Sequence, residues 1–211
     1  MEFAELALVL SWSIPLILLI GICVGIANRK SLSRAAKFLF RYLLIAFLFD
    51  AVNRLVGFII VKNNLILIPL YGVAELALFT LMYYQVFIRK FRYFLLFLGI
   101  SGIIFTLYET LSVYRVAAND FQSYSRVVDA FIIVVFTMMY FFEKLSVGTN
   151  PREYKLSINT GILIFYSLSL VFLLPINFLI NESSDLKFYF WIGYIILTNL
   201  FYAFLTFAIW K

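Results

Sequence analysis

Six ionisable side chains sit inside long apolar stretches of this 211-residue chain: Asp50, Arg54, Glu75, Glu109, Arg126 and Asp129. Charge in hydrocarbon is costly, so such residues persist where they are paired, face water, or act on a solute or a proton. Four carboxylates meet two guanidiniums, so complete pairing leaves two acids over. A carboxyl in a low-dielectric site can exchange a proton near neutral pH, or stay charged and hold a cation or an amine. An arginine at the same depth can meet an anionic group on a ligand. Glu75 is the first candidate for the labile charge. It is central, has no partner within its own helix, and precedes the apolar run Leu76-Ala77-Leu78-Phe79. Glu109 is the second.

The spacing gathers these residues on helix faces. Asp50, Asn53, Arg54 and Gly57 recur at i, i+3, i+4 and i+7, which is one face. Tyr71 and Glu75 lie one turn apart, as do Arg126 and Asp129, and Asn199, Tyr202 and Thr206 share a stripe. Counted from the basic ends of their segments at about 1.5 Å per residue, the group spans the midplane and the outer half of the membrane. Stripes facing inward would enclose an outward-opening polar cavity. Its ligand- or ion-binding lining is expected to be Asp50, Asn53, Arg54, Tyr71, Glu75, Glu109, Arg126, Asp129, Asn199 and Tyr202, with Pro69 and Pro175 bending helices near the mouth. The same residues support a plainer arrangement. Asp50–Arg54 and Arg126–Asp129 would then be pairs within one helix, and Glu75 and Glu109 neutral acids hydrogen-bonded to Tyr, Asn or Thr.

The elements that must position them follow from composition. The chain is 64% hydrophobic, 20% aromatic and 13% charged, against about 45–50% apolar and about 25% charged in soluble domains. Seven apolar segments, near 6–27, 38–61, 65–88, 93–114, 125–143, 156–180 and 188–210, approach or exceed the roughly 20 residues that cross about 30 Å of hydrocarbon. A lone chain in lipid must satisfy its own backbone hydrogen bonds, so all are expected to be helices. The expected fold is an all-α, polytopic bundle of seven transmembrane helices in a single domain, 1–211. Most lysines and arginines fall in one set of connections, at Arg29–Arg41, Arg89–Arg92, Lys144–Lys155 and Lys211. The positive-inside rule makes that side cytoplasmic, with the N-terminus outside and the C-terminus inside. A plasma or bacterial inner membrane is expected. The acidic start, Met1-Glu2-Phe3-Ala4-Glu5, lacks the basic n-region of a cleaved signal peptide. Trp12, Trp191 and Trp210 fall near the expected interfaces, and Asn181-Glu182-Ser183 forms a glycosylation triplet on the outer side.

Several function classes are excluded or disfavoured. The chain has no histidine and one cysteine, Cys23, which removes histidine-ligated haem, histidine-based zinc sites and Ser-His-Asp catalysis. No phosphate-binding glycine loop, nucleophile elbow or paired-aspartate run occurs, and the last span has no mid-helix lysine for a Schiff base. No cofactor, metal site or catalytic residue is expected. The net charge is +6, but the basic residues sit at segment ends, as topology signals do, so nucleic acid is not an expected partner. Membrane lipid is one. The basic run from Arg29 to Arg41 suits anionic lipid, though topology alone accounts for it. Gly21 and Gly25 form a G-x-x-x-G, which suits close helix packing within the bundle or a homo-oligomer or protein-partner face.

The first three and last three segments are offset by roughly 118 residues around a spare fourth, the layout of parallel-repeat carriers. In length and topology the chain resembles the sugar-exporting SWEET and KDEL-receptor group. The Pro-Gln signature of that group is absent, so nothing of its activity is carried over. Three functional readings follow. The first is a binding or transport protein with a carboxylate-rich cavity, coupled to a proton or cation and open to a small solute. The second is a non-catalytic subunit, sensor or anchor acting through a partner protein. The third is an intramembrane lipid-modifying enzyme using paired carboxylates.

Overall fold

A computed structural model describes residues 3–59, 66–113, 124–147, 153–179 and 186–211. Its regular elements are helical throughout. They are α1 (Phe3–Ser11), α2 (Ser13–Ala27), α3 (Arg34–Ile59), α4 (Leu67–Met82) with a π-helical turn at Tyr83–Phe87, α5 (Arg92–Val113), α6 (Tyr124–Val147), α7 (Glu153–Leu179) and α8 (Leu186–Trp210). The expected segments therefore correspond to helices within a few residues. The glycosylation triplet at 181–183, Lys62 and Arg115 lie outside the described residues.

Helices α2 to α8 pack in chain order into a closed ring, α8 returning to α2. Helix α1 lies on α8, α4 reaches across to α6, and α8 reaches across to α3. The interior is filled by Leu39, Leu43, Leu76, Phe136, Ile162 and Leu205, all buried. The outside is just as apolar, exposing Phe97, Ile104, Phe131, Val171, Leu200 and Phe207. Helices that are apolar all round belong in lipid, where an outward Leu or Phe costs nothing. Six helical stretches are long and apolar enough to cross a membrane. The protein is thus built as a membrane-embedded helical bundle. Helix α3 is not among the six, although its 26 residues reach about 39 Å. The reason is its charge: Arg34, Lys37 and Arg41 crowd one end, and Asp50 and Arg54 fall further along.

The first span is broken between α1 and α2, and Pro15 explains where. Proline has no N–H and its ring collides with the carbonyl four residues back, here that of Ser11. Trp12 leaves the helix and Ser11 O is freed. Arg54 Nη2 donates to that oxygen at 2.7 Å, while Arg54 Nε donates to Asp50 Oδ2 at 2.8 Å. The guanidinium lies over the Trp12 ring, 4.6 Å from its centre. Beyond the break, the close approach offered by the two glycines is used inside the chain. A methyl on Gly21 would strike Thr206 and Leu43, and one on Gly25 would strike the Phe40 ring.

Two glutamates clasp α5 and α6 at opposite ends. Glu109, near the end of α5, accepts the backbone N–H groups of Tyr124 and Ser125 at 2.7 and 2.8 Å, where α6 begins. Glu143, near the end of α6, accepts those of Arg89 and Lys90 at 3.0 Å, just before α5. Each carboxylate satisfies amides that the helical ladder leaves without partners.

Candidate functional site

Glu75 occupies the middle of the bundle and is 2% exposed. It lies on a stripe of α4 in which Tyr71, Glu75, Phe79 and Tyr83 recur every four residues and so share one face. Four donors from four helices converge on its carboxylate. Tyr42 of α3 and Tyr166 of α7 donate to Oε1 at 2.7 and 2.8 Å. The single hydroxyl hydrogen of Tyr71 of α4 has two acceptors, the same Oε1 at 3.3 Å and the Tyr42 hydroxyl at 3.0 Å. Arg126 of α6 donates to Oε2 at 2.6 Å. The Tyr71 hydroxyl is also 3.4 Å from that of Tyr202 on α8. Arg126 Nη2 donates to Tyr194 OH at 3.3 Å, and the guanidinium lies over the Tyr71 ring.

This inventory explains how an ion pair survives here. Desolvating two charges costs more than their attraction returns unless other hydrogen bonds complete both groups. Glu75 accepts from three phenols and a guanidinium, and Arg126 is completed by Tyr194 and an aromatic face. The Glu75 carboxylate is therefore a closed node. Glu75 has no ion-pair partner within its own helix, as its sequence neighbourhood suggested; the partner comes from α6.

Asp129 is the contrasting case. It is 1% exposed, one turn along α6 from Arg126. Oδ1 lies 3.0 Å from Thr106 Oγ1 on α5, and Thr106 Oγ1 lies 3.0 Å from Gly102 O. Thr106 has a single hydrogen for these two acceptors. Oδ2 has no hydrogen-bond partner among the described residues. It faces Gly72 of α4, where a Cβ would sit 2.5 Å away. A proton on Asp129 resolves the shortage, since the acid then donates to Thr106 and Thr106 to Gly102. Every hydrogen is used once.

Below this level the centre is sealed by aromatic rings. Phe79, one turn from Glu75, packs against Tyr42 at 5.2 Å and Tyr166 at 5.4 Å between ring centres. Phe165 and Phe201 stack beside them at 3.9 Å. One further turn along α4, Tyr83 donates to Asn159 Oδ1 at 2.8 Å, and Asn159 Nδ2 donates to Thr137 O at 3.2 Å.

The structure thus gathers Tyr71, Glu75, Arg126 and Tyr202, with Asp129 alongside. It leaves Asp50, Asn53 and Arg54 on the face that serves the α1–α2 break, and Glu109 at the start of α6. Asn199 Oδ1 is buried with no hydrogen-bond partner among the described residues. Of the two pairs expected within one helix, Asp50–Arg54 forms, whereas Arg126 reaches Glu75 instead of Asp129. Glu75, Asp129 and Tyr202 are buried at this centre, while Tyr71 and Arg126 keep partial exposure. Sequence reasoning missed Tyr42, Tyr166 and Tyr194, which nothing distinguishes among 14 tyrosines. It also missed Thr106, whose spacing after Gly102 and before Thr110 marks a polar stripe on α5, and Glu143. No group of metal-ligating side chains occurs among the described residues. The chain matches no protein-family model, no curated protein and no solved structure.

Proposed function

We propose that this is a seven-span membrane protein, N-terminus outside and C-terminus cytoplasmic, that binds or transports a small polar solute or ion. The Glu75–Arg126 pair would act as an interhelical lock over its centre. The observation that carries the reading is the meeting of donors from α3, α4, α6 and α7 on one buried carboxylate. Separating any of these helices breaks a charge-assisted bond, so the lock favours a single closed state. A ligand with complementary charge, or a proton, would supply the replacement contacts an open state requires. Asp129 is the better carrier of an exchangeable proton. It has an oxygen without a partner among the described residues, whereas both oxygens of Glu75 are engaged. Helix α3 serves as the seventh span, with Asp50 and Arg54 turned to the break between α1 and α2.

A second reading is favoured by the same completeness. A carboxylate with four donors suits a rigid knot that orients helices in a non-catalytic subunit acting through a partner. Accessibility separates the two. On a Cys23→Ser background, Tyr202→Cys would probe the centre and spare the Glu75–Arg126 pair, because its contact to Tyr71 is the longest in the network. In right-side-out vesicles, a membrane-impermeant charged thiol reagent should label this position well above a Leu48→Cys control on the lipid-facing surface. Labelling no faster than the control would remove the gated-site reading and leave the knot. Co-purification of a stoichiometric partner in mild detergent would then support the second.

A further inference from the structure

At the opposite end of the bundle from Arg126, the starts of α3, α5 and α7 and the turn after α4 surround a cavity of about 530 Å³. Ser33, Arg34, Arg89, Arg92, Tyr154 and Lys155 line it, together with the π-helical turn. Four of these six carry positive charge, and no carboxylate is among the described lining residues. Two of the cations are held in place from behind. Lys155 Nζ donates to Val86 O at 2.9 Å, a carbonyl in the π-helical turn. Arg92 Nε donates to Ile88 O at 3.1 Å, and its guanidinium lies over the Tyr84 ring. Arg92 still has further N–H groups, since a guanidinium carries five. Arg34 and Arg89 are exposed and form no ion pair among the described residues. The acid described nearest to them, Glu143, spends both oxygens on the amides of Arg89 and Lys90.

We propose that this cavity binds a phosphate group carried on a headgroup-sized polar molecule. Four positive side chains on converging helix ends, with no acid among the described lining residues, repel one another, and an anion between the arginines relieves that cost. Guanidiniums match phosphate oxygens in bidentate fashion, and the greater charge and additional oxygens of a phosphate let it meet more of these cations at once than a simple carboxylate can. The volume falls within the range of small-molecule sites and exceeds what a lone anion needs. The position fits the headgroup layer, because the apolar belt of the bundle ends where these basic residues begin. An anionic lipid and a soluble phosphorylated solute both present this chemistry, and the probes below distinguish them.

The test uses the full-length protein in a neutral detergent and follows its thermal unfolding. The probes are inorganic phosphate, glycerol 3-phosphate and short-chain phosphatidylglycerol, with short-chain phosphatidylcholine and matched sodium chloride as controls. Stabilisation that saturates with at least one phosphate probe is expected, absent from both controls. Half-saturation should weaken about fivefold or more in R34Q/R89Q. The K30Q/K37Q variant, which loses the same charge outside the cavity, should behave as the parent. A response to phosphatidylglycerol alone assigns the site to lipid, and a response to glycerol 3-phosphate as well assigns it to a soluble ligand. No saturable response, or the same response in R34Q/R89Q as in the parent, overturns the proposal.

Discussion

Arg126 Nη1 and Glu75 Oε2 meet at 2.6 Å, tying α6 to α4 through the centre of a bundle whose other contacts there are mostly aromatic. The pair is buried on the carboxylate side, so removing one charge leaves the other uncompensated. Glu75→Gln should cost about 3–5 kcal/mol. Tyr166→Phe, which deletes one of four donors, should cost only about 1 kcal/mol. Unfolding of the two variants in detergent measures the difference. Equal costs would mean that the ion pair adds nothing to an ordinary hydrogen bond.

Gly72 and Asp129 form a second tight pair. A methyl at position 72 would fall 2.5 Å from Asp129 Oδ2, so Gly72→Ala should cost about 1–3 kcal/mol through overpacking. In an Asp129→Ala background the collision disappears and the added cost of Gly72→Ala should fall below about 0.5 kcal/mol. A double-mutant cycle on thermal stability reads this coupling. Additive costs would show that α4 and α6 do not touch through these residues.

The break in the first span makes a similar cycle possible. Pro15→Ala supplies the missing N–H and removes the ring, so Ser11 O returns to the helix and Arg54 loses its acceptor. Arg54→Ala should cost about 1–3 kcal/mol in the parent and clearly less in Pro15→Ala. The Asp50 contact is lost in both backgrounds and cancels. The same cost in both would sever Arg54 from the break.

Much of this architecture was legible in the residues. Helix periodicity and apolar length located the segments within a few residues, because a membrane allows hardly any other structure. The stripes Tyr71–Glu75 and Arg126–Asp129 do face the interior. Their partners were not legible, since the sequence displays spacing along a helix and never which helix stands opposite. Arg126 therefore read as a mate for Asp129, three residues away, when it reaches across to Glu75. Glu109 and Glu143 hid for another reason: they bind backbone amides, which every residue but proline has and no sequence marks. Pro15 was a visible signal. Four residues after Ser11, it marks the break in the first span, but nothing in the sequence sets Arg54 of α3 opposite that carbonyl.

The reciprocal grip of Glu109 on the start of α6 and of Glu143 on the approach to α5 has a mechanical corollary. Two rods fastened at both extremities cannot slide or splay independently, so they behave as one plank. Any rocking that admits a solute must swing this plank against the remaining rods, and its pivot face is the one bearing Thr106, Asp129 and Arg126.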